Sequence, residues 1–244
     1  MKITVFNGSP RAERSSSHIM VEAFAKGANE AGAELENIFL VNKNIHYCLG
    51  CFNCWIKTPG ECSIKDDMGE LLEKYLNSDM VVFASPVYVG SVSGIMKNFL
   101  DRLLPLADPH LIMGKQGVMS HPYRQQKYPK IILISNCGFP EQAHFKYFRS
   151  IFAYMADNSG MEIVAEIYRG EGELLKRNEL ILRPFIDHYK KMLQRAGKEI
   201  AQTGKLSEKT HTELEKPLIP YEMYAKQANK YFDDRIEAIN HRTI

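Results

Sequence analysis

The stretch that most constrains this chain is Met80-Val81-Val82-Phe83-Ala84, an apolar run without a polar face. A strand wetted on one side alternates, so an unbroken run this short belongs to a strand covered on both faces, as in the middle of a parallel sheet. Two further segments read as strands of that kind, Lys2-Ile3-Thr4-Val5-Phe6 and Ile131-Ile132-Leu133-Ile134-Ser135. Glu34 to Val41 has a second-strand signature, and Met161 to Tyr168, with Glu162 and Glu166 on one side, suits a sheet edge. Helical stripes lie between them: Met20, Ala23, Phe24 and Ala31; Met68, Leu71, Leu72, Tyr75 and Leu76 behind Asp66-Asp67; Ile95, Met96, Phe99, Leu100, Leu103 and Leu104; and Phe145, Phe148, Phe152 and Met155. Phe185, Tyr189, Met192, Leu193, Ala196 and Ile200 mark a last core helix behind Pro184. The alternation predicts a parallel sheet wound on both faces by right-handed crossovers.

Ligands of such sheets bind beyond the carboxyl ends of the strands. Three unusual loops follow strands there. The first, Gly8-Ser9-Pro10-Arg11-Ala12-Glu13-Arg14-Ser15-Ser16-Ser17, opens a helix whose free N–H groups and dipole favour an anion. Taken alone, the loop reads as a turn in which one of Ser15, Ser16 and Ser17 caps the helix. The others, Ser85-Pro86-Val87-Tyr88-Val89-Gly90-Ser91-Val92-Ser93-Gly94 and Asn136-Cys137-Gly138-Phe139-Pro140-Glu141, fall on the same edge, and that convergence favours a phosphate site. A connection of over twenty residues from Pro105 has the length of a lid or binding loop.

A chain of 244 residues, 45% hydrophobic and 25% charged, accommodates one large sheet-based domain. Its net charge of +2, with basic residues dispersed, gives no electrostatic case for nucleic acid or an anionic membrane. No apolar run approaches the roughly 20 residues that span a bilayer, and the amino terminus enters a strand at once, so a cytoplasmic protein is expected. Beyond Gly204 the chain is surplus to the core. Tyr221, Tyr224, Ala225, Ala228, Phe232 and Ile239 form an amphipathic helix whose apolar face must bury against its own domain or a second protomer.

Of the five cysteines, Cys48, Cys51, Cys54 and Cys62 are spaced C-x2-C-x2-C-x7-C. In a reducing compartment such a group is not a disulfide framework. The spacing is close to ferredoxin-style ligation of a four-iron cubane; a tetrahedral zinc site and free thiols on a loop are the other readings.

Gly8-Ser9-Pro10-Arg11, the cysteine connection followed by Lys65-Asp66-Asp67-Met68, Ser85-Pro86-Val87-Tyr88, Lys97-Asn98-Phe99-Leu100-Asp101-Arg102 and Cys137-Gly138-Phe139-Pro140-Glu141 together resemble the NADPH-dependent FMN reductase family, in particular its cysteine-bearing branch with the iron–sulfur flavoproteins. The resemblance covers roughly residues 1 to 200. It implies a three-layer flavodoxin-like fold, strand order 2-1-3-4-5, over residues 1–203; residues 204–244, outside the resemblance, are expected as a helical C-terminal extension from their own pattern. It also implies bound FMN, NAD(P)H as electron donor, and a flavin, quinone or similar acceptor; the alternative is a 4Fe-4S cluster on the cysteines passing single electrons between a ferredoxin-like partner and FMN. Ser9, Arg11, Ser16 and Ser17 would hold the FMN phosphate. The family often shows Asn-Thr where this chain has Ser16 and Ser17, which removes one amide contact. Pro86, Val87, Tyr88, Val89 and Gly90 would line the isoalloxazine, with Ser91 or Ser93 at its polar edge, and Asn136, Cys137, Gly138 and Phe139 would close its other side. No acid–base group is assigned, because the chemistry belongs to the cofactor. A homodimer or homotetramer is implied by analogy.

Overall fold

The computed structural model describes residues 1–114 and 117–240. In chain order its elements are β1 (Lys2–Asn7), α1 (Ser16–Glu30), β2 (Glu34–Phe39), α2 (Asn53–Ile56), α3 (Met68–Leu76), β3 (Met80–Pro86), α4 (Gly94–Asp101), β4 (Ile112–Met113), β5 (Met119–Ser120), β6 (Lys130–Asn136), α5 (Lys146–Ser159), β7 (Ile163–Arg169), α6 (Arg183–Thr203), α7 (Glu208–Glu215) and α8 (Tyr221–Asn240). The main sheet runs β2-β1-β3-β6-β7 with every pairing parallel, the 2-1-3-4-5 order of a flavodoxin-like fold. β7 is an edge, as its two glutamates indicated.

Side chains alternate across the sheet with the period of two that strand geometry imposes. Met80, Val82 and Ala84 join Ile132 and Ile134 under α1 and α6, whereas Val81 and Phe83 join Ile131 and Leu133 under α3, α4 and α5. α1 and α6 meet unusually closely: a Cβ added to Gly197 would lie 2.0 Å from the Phe24 carbonyl oxygen. Glycine is what permits that approach.

The structure departs from the sequence reading in three places. The long connection after Leu104 carries the antiparallel β4–β5 pair, and Pro122, Tyr123 and Tyr128 share a hollow with Met1, Asp79, Met80 and Lys130 at the amino ends of the strands. Another part of it turns to the cysteine connection, where the His121 ring lies 4.8 Å from that of Trp55. Phe185 is 51% exposed, because the buried stripe of α6 runs Ile186, Tyr189, Leu193, Ala196, Ile200 and leaves Phe185 one residue off it. The chain beyond Gly204 is not wholly surplus: Leu214, Leu218 and Ile219 belong to the core under α1 and α6, whereas α8 has no buried residue. Among the described residues no helix is long and apolar enough to cross a membrane.

Candidate flavin and cysteine site

The β1–α1 loop is built from serines that divide the capping work. Ser15 caps α1, its Oγ accepting the His18 N–H at 3.0 Å. The Ser9 Oγ accepts the Arg11 N–H at 3.4 Å, and Ser17 accepts from the Asn136 amide at 2.8 Å. Ser16 is the exception. It is 4% exposed, yet its Oγ has no hydrogen-bond partner among the described residues. An unmatched buried hydroxyl at the amino end of a helix is a place for an anion, since leaving it unpaired costs about 1–3 kcal/mol.

Hydrogen bonds join this loop to the two others. Ser93, which caps α4 by accepting the Met96 N–H, donates to the Gly8 carbonyl at 2.5 Å and so locks the β3–α4 loop to the first. The Asn136–Ser17 bond does the same for the loop after β6. Ser93 thus braces the two loops. The Arg11 guanidinium pairs with Glu173 at 3.0 Å, both side chains about half exposed, and the Arg11 side chain reaches Tyr88. The carboxylate takes part of the charge that an anion would otherwise use.

The rim is apolar and open. Pro86 is buried and Val87 partly so; Tyr88 is 38% exposed, Val89 fully exposed and Phe139 61% exposed. Tyr88 and Ser91 exchange backbone hydrogen bonds across a tight turn in which Val89 sits at φ 50° and Gly90 at φ 76°. A β-branched residue in the left-handed region is strained, and such outliers gather at functional sites. Asn136 and Cys137 are buried and Gly138 is exposed. Burial pushes the Cys137 thiol up to about 11, so it remains protonated at neutral pH, and its Sγ donates to the Phe139 carbonyl at 3.1 Å. From the far end of the chain, the Tyr224 hydroxyl donates to the Gly138 carbonyl, a contact with no counterpart in the sequence reading.

These residues are of the kind FMN requires: a buried hydroxyl unpartnered among the described residues at the amino end of α1, and two loops hydrogen-bonded to the β1–α1 loop that expose apolar and aromatic side chains.

The cysteine connection packs against the carboxyl end of α4. Cys48, Cys51, Cys54 and Cys62 line one small hollow together with Arg102. Cys54 is buried and Cys51 exposed. The Asn53 backbone N–H holds the Cys51 thiol below its ordinary range, while burial, reinforced by Cys62, pushes Cys54 above it. Among the described residues no three His, Cys, Asp or Glu side chains already stand in ligating positions. In kind, four thiols around one hollow are the donor set of a thiolate-bound metal group. Beneath them is a buried ion pair missed by the sequence reading, Arg102–Asp66 at 2.6 Å, with side chains 1% and 0% exposed. The signal was present: Arg102 continues the Met96–Phe99 spacing on the apolar stripe of α4.

The profile of the NADPH-dependent FMN reductase family matches residues 1–125. An iron-sulfur flavoprotein of Archaeoglobus fulgidus is 41% identical over 142 residues, 58% of this chain and 58% of that protein. One of Methanocaldococcus jannaschii is 38% identical over 117 residues, 48% of this chain and 59% of the other. The chain thus spans less than two thirds of the length of these relatives. Among solved structures, an FMN-dependent NADH-azoreductase from Bacillus anthracis in complex with FMN matches with a TM-score of 0.60 at 14% identity, over 82% of this chain and 99% of that one. An NAD(P)H:quinone oxidoreductase from Methanothermobacter marburgensis matches with a TM-score of 0.54 at 16% identity, over 82% and 96%. At such identities the structural likeness speaks for the fold.

Proposed function

The chain belongs to the NADPH-dependent FMN reductase family, and from that premise we propose that it is an FMN-dependent oxidoreductase that takes electrons from NAD(P)H and delivers them to a flavin, quinone or similar small acceptor. The observation that carries this reading is the buried, partnerless Ser16 hydroxyl at the start of α1, in a loop hydrogen-bonded to both other strand-end loops. Ser16 and Ser17 would receive the phosphate through hydroxyl and backbone N–H groups, with Ser9 behind them. Pro86 to Ser91 would lie along one side of the ring and Asn136 to Phe139 along the other. Bound FMN supplies the hydride and electron chemistry, so the protein's part is to hold it and to leave one face open to donor and acceptor. Exposed Tyr88, Val89 and Phe139 give that face an apolar border suited to an aromatic partner. The test is purification followed by a visible spectrum and titration with NADH and NADPH. Flavin bands that bleach on addition of either nucleotide are expected; a colourless protein that ignores added FMN would refute the proposal.

A second reading is favoured by the four cysteines around one hollow and by the iron-sulfur flavoproteins among the relatives. In it Cys48, Cys51, Cys54 and Cys62 hold a 4Fe-4S cluster and a ferredoxin-like protein is the redox partner. Anaerobic iron and sulfide analysis separates the two: four irons per chain belong to the cluster, none to the plain FMN enzyme. Association into a homodimer or homotetramer and a reducing, cytoplasmic setting complete the proposal, the latter consistent with five free thiols.

A further inference from the structure

Both ends of the cysteine connection converge on one side chain. Arg102, at the end of α4, donates from Nη1 to the His46 carbonyl at 2.6 Å on the entering side and from Nη2 to the Cys62 Sγ at 3.4 Å on the leaving side. Its fork is fixed by Asp66, which accepts from Nη1 at 2.6 Å and from Nη2 at 3.0 Å. Asp66 also accepts the N–H groups of His46 at 2.9 Å and Met68 at 3.1 Å, and Asp67 accepts that of Asn44 at 2.8 Å. The remaining anchors come from the same platform: the Asn98 amide donates to the Ile45 carbonyl at 2.8 Å, and the Trp55 indole N–H donates to the Leu104 carbonyl at 3.0 Å.

We propose that Arg102 is the positioning residue of the cysteine site: pinned by Asp66, it joins the two ends of the connection, sets the Cys62 sulfur against the other three thiols, and places a fixed cation beside whatever thiolate-bound group the site carries. Nothing in the packing of α4 alone calls for this. Removing a guanidinium from water is unfavourable, the more so because its Nε finds no partner among the described residues, and an aliphatic residue continuing the Met96–Phe99 stripe would pack at lower cost. What the cation offers instead is bidentate geometry toward Asp66 with a donor left for sulfur, which a lysine cannot reproduce. Asp66 balances much of the charge, so what reaches the sulfur is chiefly a fixed N–H donor, and hydrogen bonds to sulfur stabilise the more reduced, more negative state of a bound cluster.

The inference rests on the cluster reading for its redox part and on geometry alone for its positioning part, so the experiment has two arms. Full-length wild type, R102K and the charge-neutral pair D66N/R102Q are reconstituted anaerobically with ferrous iron and sulfide, after thermal unfolding has shown them folded. The expected result is that D66N/R102Q takes up iron but loses it to a chelator faster than wild type and has a lower midpoint potential; an unchanged potential and unchanged loss rate would overturn the redox part. R102K keeps a charge but not the fork, and is expected to release iron faster. If wild type itself takes up no iron, the cluster reading falls. Amide exchange at Asn44 and His46 in the iron-free proteins then decides the positioning part: faster exchange in R102K upholds it, and identical exchange overturns it.

Discussion

Replacing Ser16 by alanine should move stability and cofactor affinity in opposite directions. The hydroxyl is buried without a partner, so in the flavin-free protein its removal relieves a desolvated polar group. That is worth about 1–3 kcal/mol at most, and alanine is a better helix former at the first position of α1. The flavin-free S16A protein should therefore be no less stable than wild type and up to a few kcal/mol more stable. If the hydroxyl donates to the FMN phosphate, its loss removes a hydrogen bond to a charged group, about 1.5–3 kcal/mol, and weakens binding by about 10- to 150-fold. Denaturant unfolding of the flavin-free protein and fluorescence titration with FMN measure the two quantities. Ser15→Ala is the contrast: it removes a cap that accepts the His18 N–H and should cost about 1 kcal/mol of stability. Destabilisation by S16A with unchanged FMN affinity would refute the assignment of this hydroxyl to the phosphate.

Gly197→Ala should destabilise by about 1–3 kcal/mol or more in denaturant unfolding, because the new methyl would meet the Phe24 carbonyl oxygen at 2.0 Å and α1 would have to leave α6; a neutral result would mean the two helices are less closely seated. Glu171 gives a pH signature. It is fully buried, and burial pushes its carboxyl above the usual range against the pull of the Leu218 N–H, the Arg169 guanidinium and the Ile219 N–H. A raised pKa means that folding takes up a proton, so this residue's contribution grows as pH falls through the raised value toward the ordinary glutamate range near about 4.3. Wild type should accordingly gain stability relative to E171Q as pH is lowered from neutrality, and a difference that stays flat would contradict that direction.

Sheet order was legible because it depends on patterns that a strand cannot hide. The unbroken Met80–Ala84 run belongs to β3, paired on both sides, and the alternating glutamates of β7 to an edge. The carboxyl-end loops were legible as turns from their serine, proline and glycine, and the strand–helix alternation put all three on one edge. Periodicity had no purchase on β4 and β5, whose strands are too short to show a period. Charged residues were the blind spot. Asp66 reads as dipole compensation at a helix start but turns inward to Arg102, and Arg169, whose guanidinium donates to the Leu214 and Lys216 carbonyls, straps the C-terminal segment to β7. Arg11 is likewise paired with Glu173, more than a hundred and fifty positions away in sequence. Such pairings are properties of the fold, and local sequence does not encode them.

The account stands on the β1–α1, β3–α4 and post-β6 loops forming one flavin site, and backbone amide shifts on titration with FMN test that directly. The N–H signals of Ser16 and Ser17 should move together with those of Tyr88, Gly90 and Gly138, saturating at one FMN per chain. Shifts confined to the cysteine connection, to the hollow at the amino ends of the strands or to α8, with Ser16 and Ser17 unmoved, would contradict it.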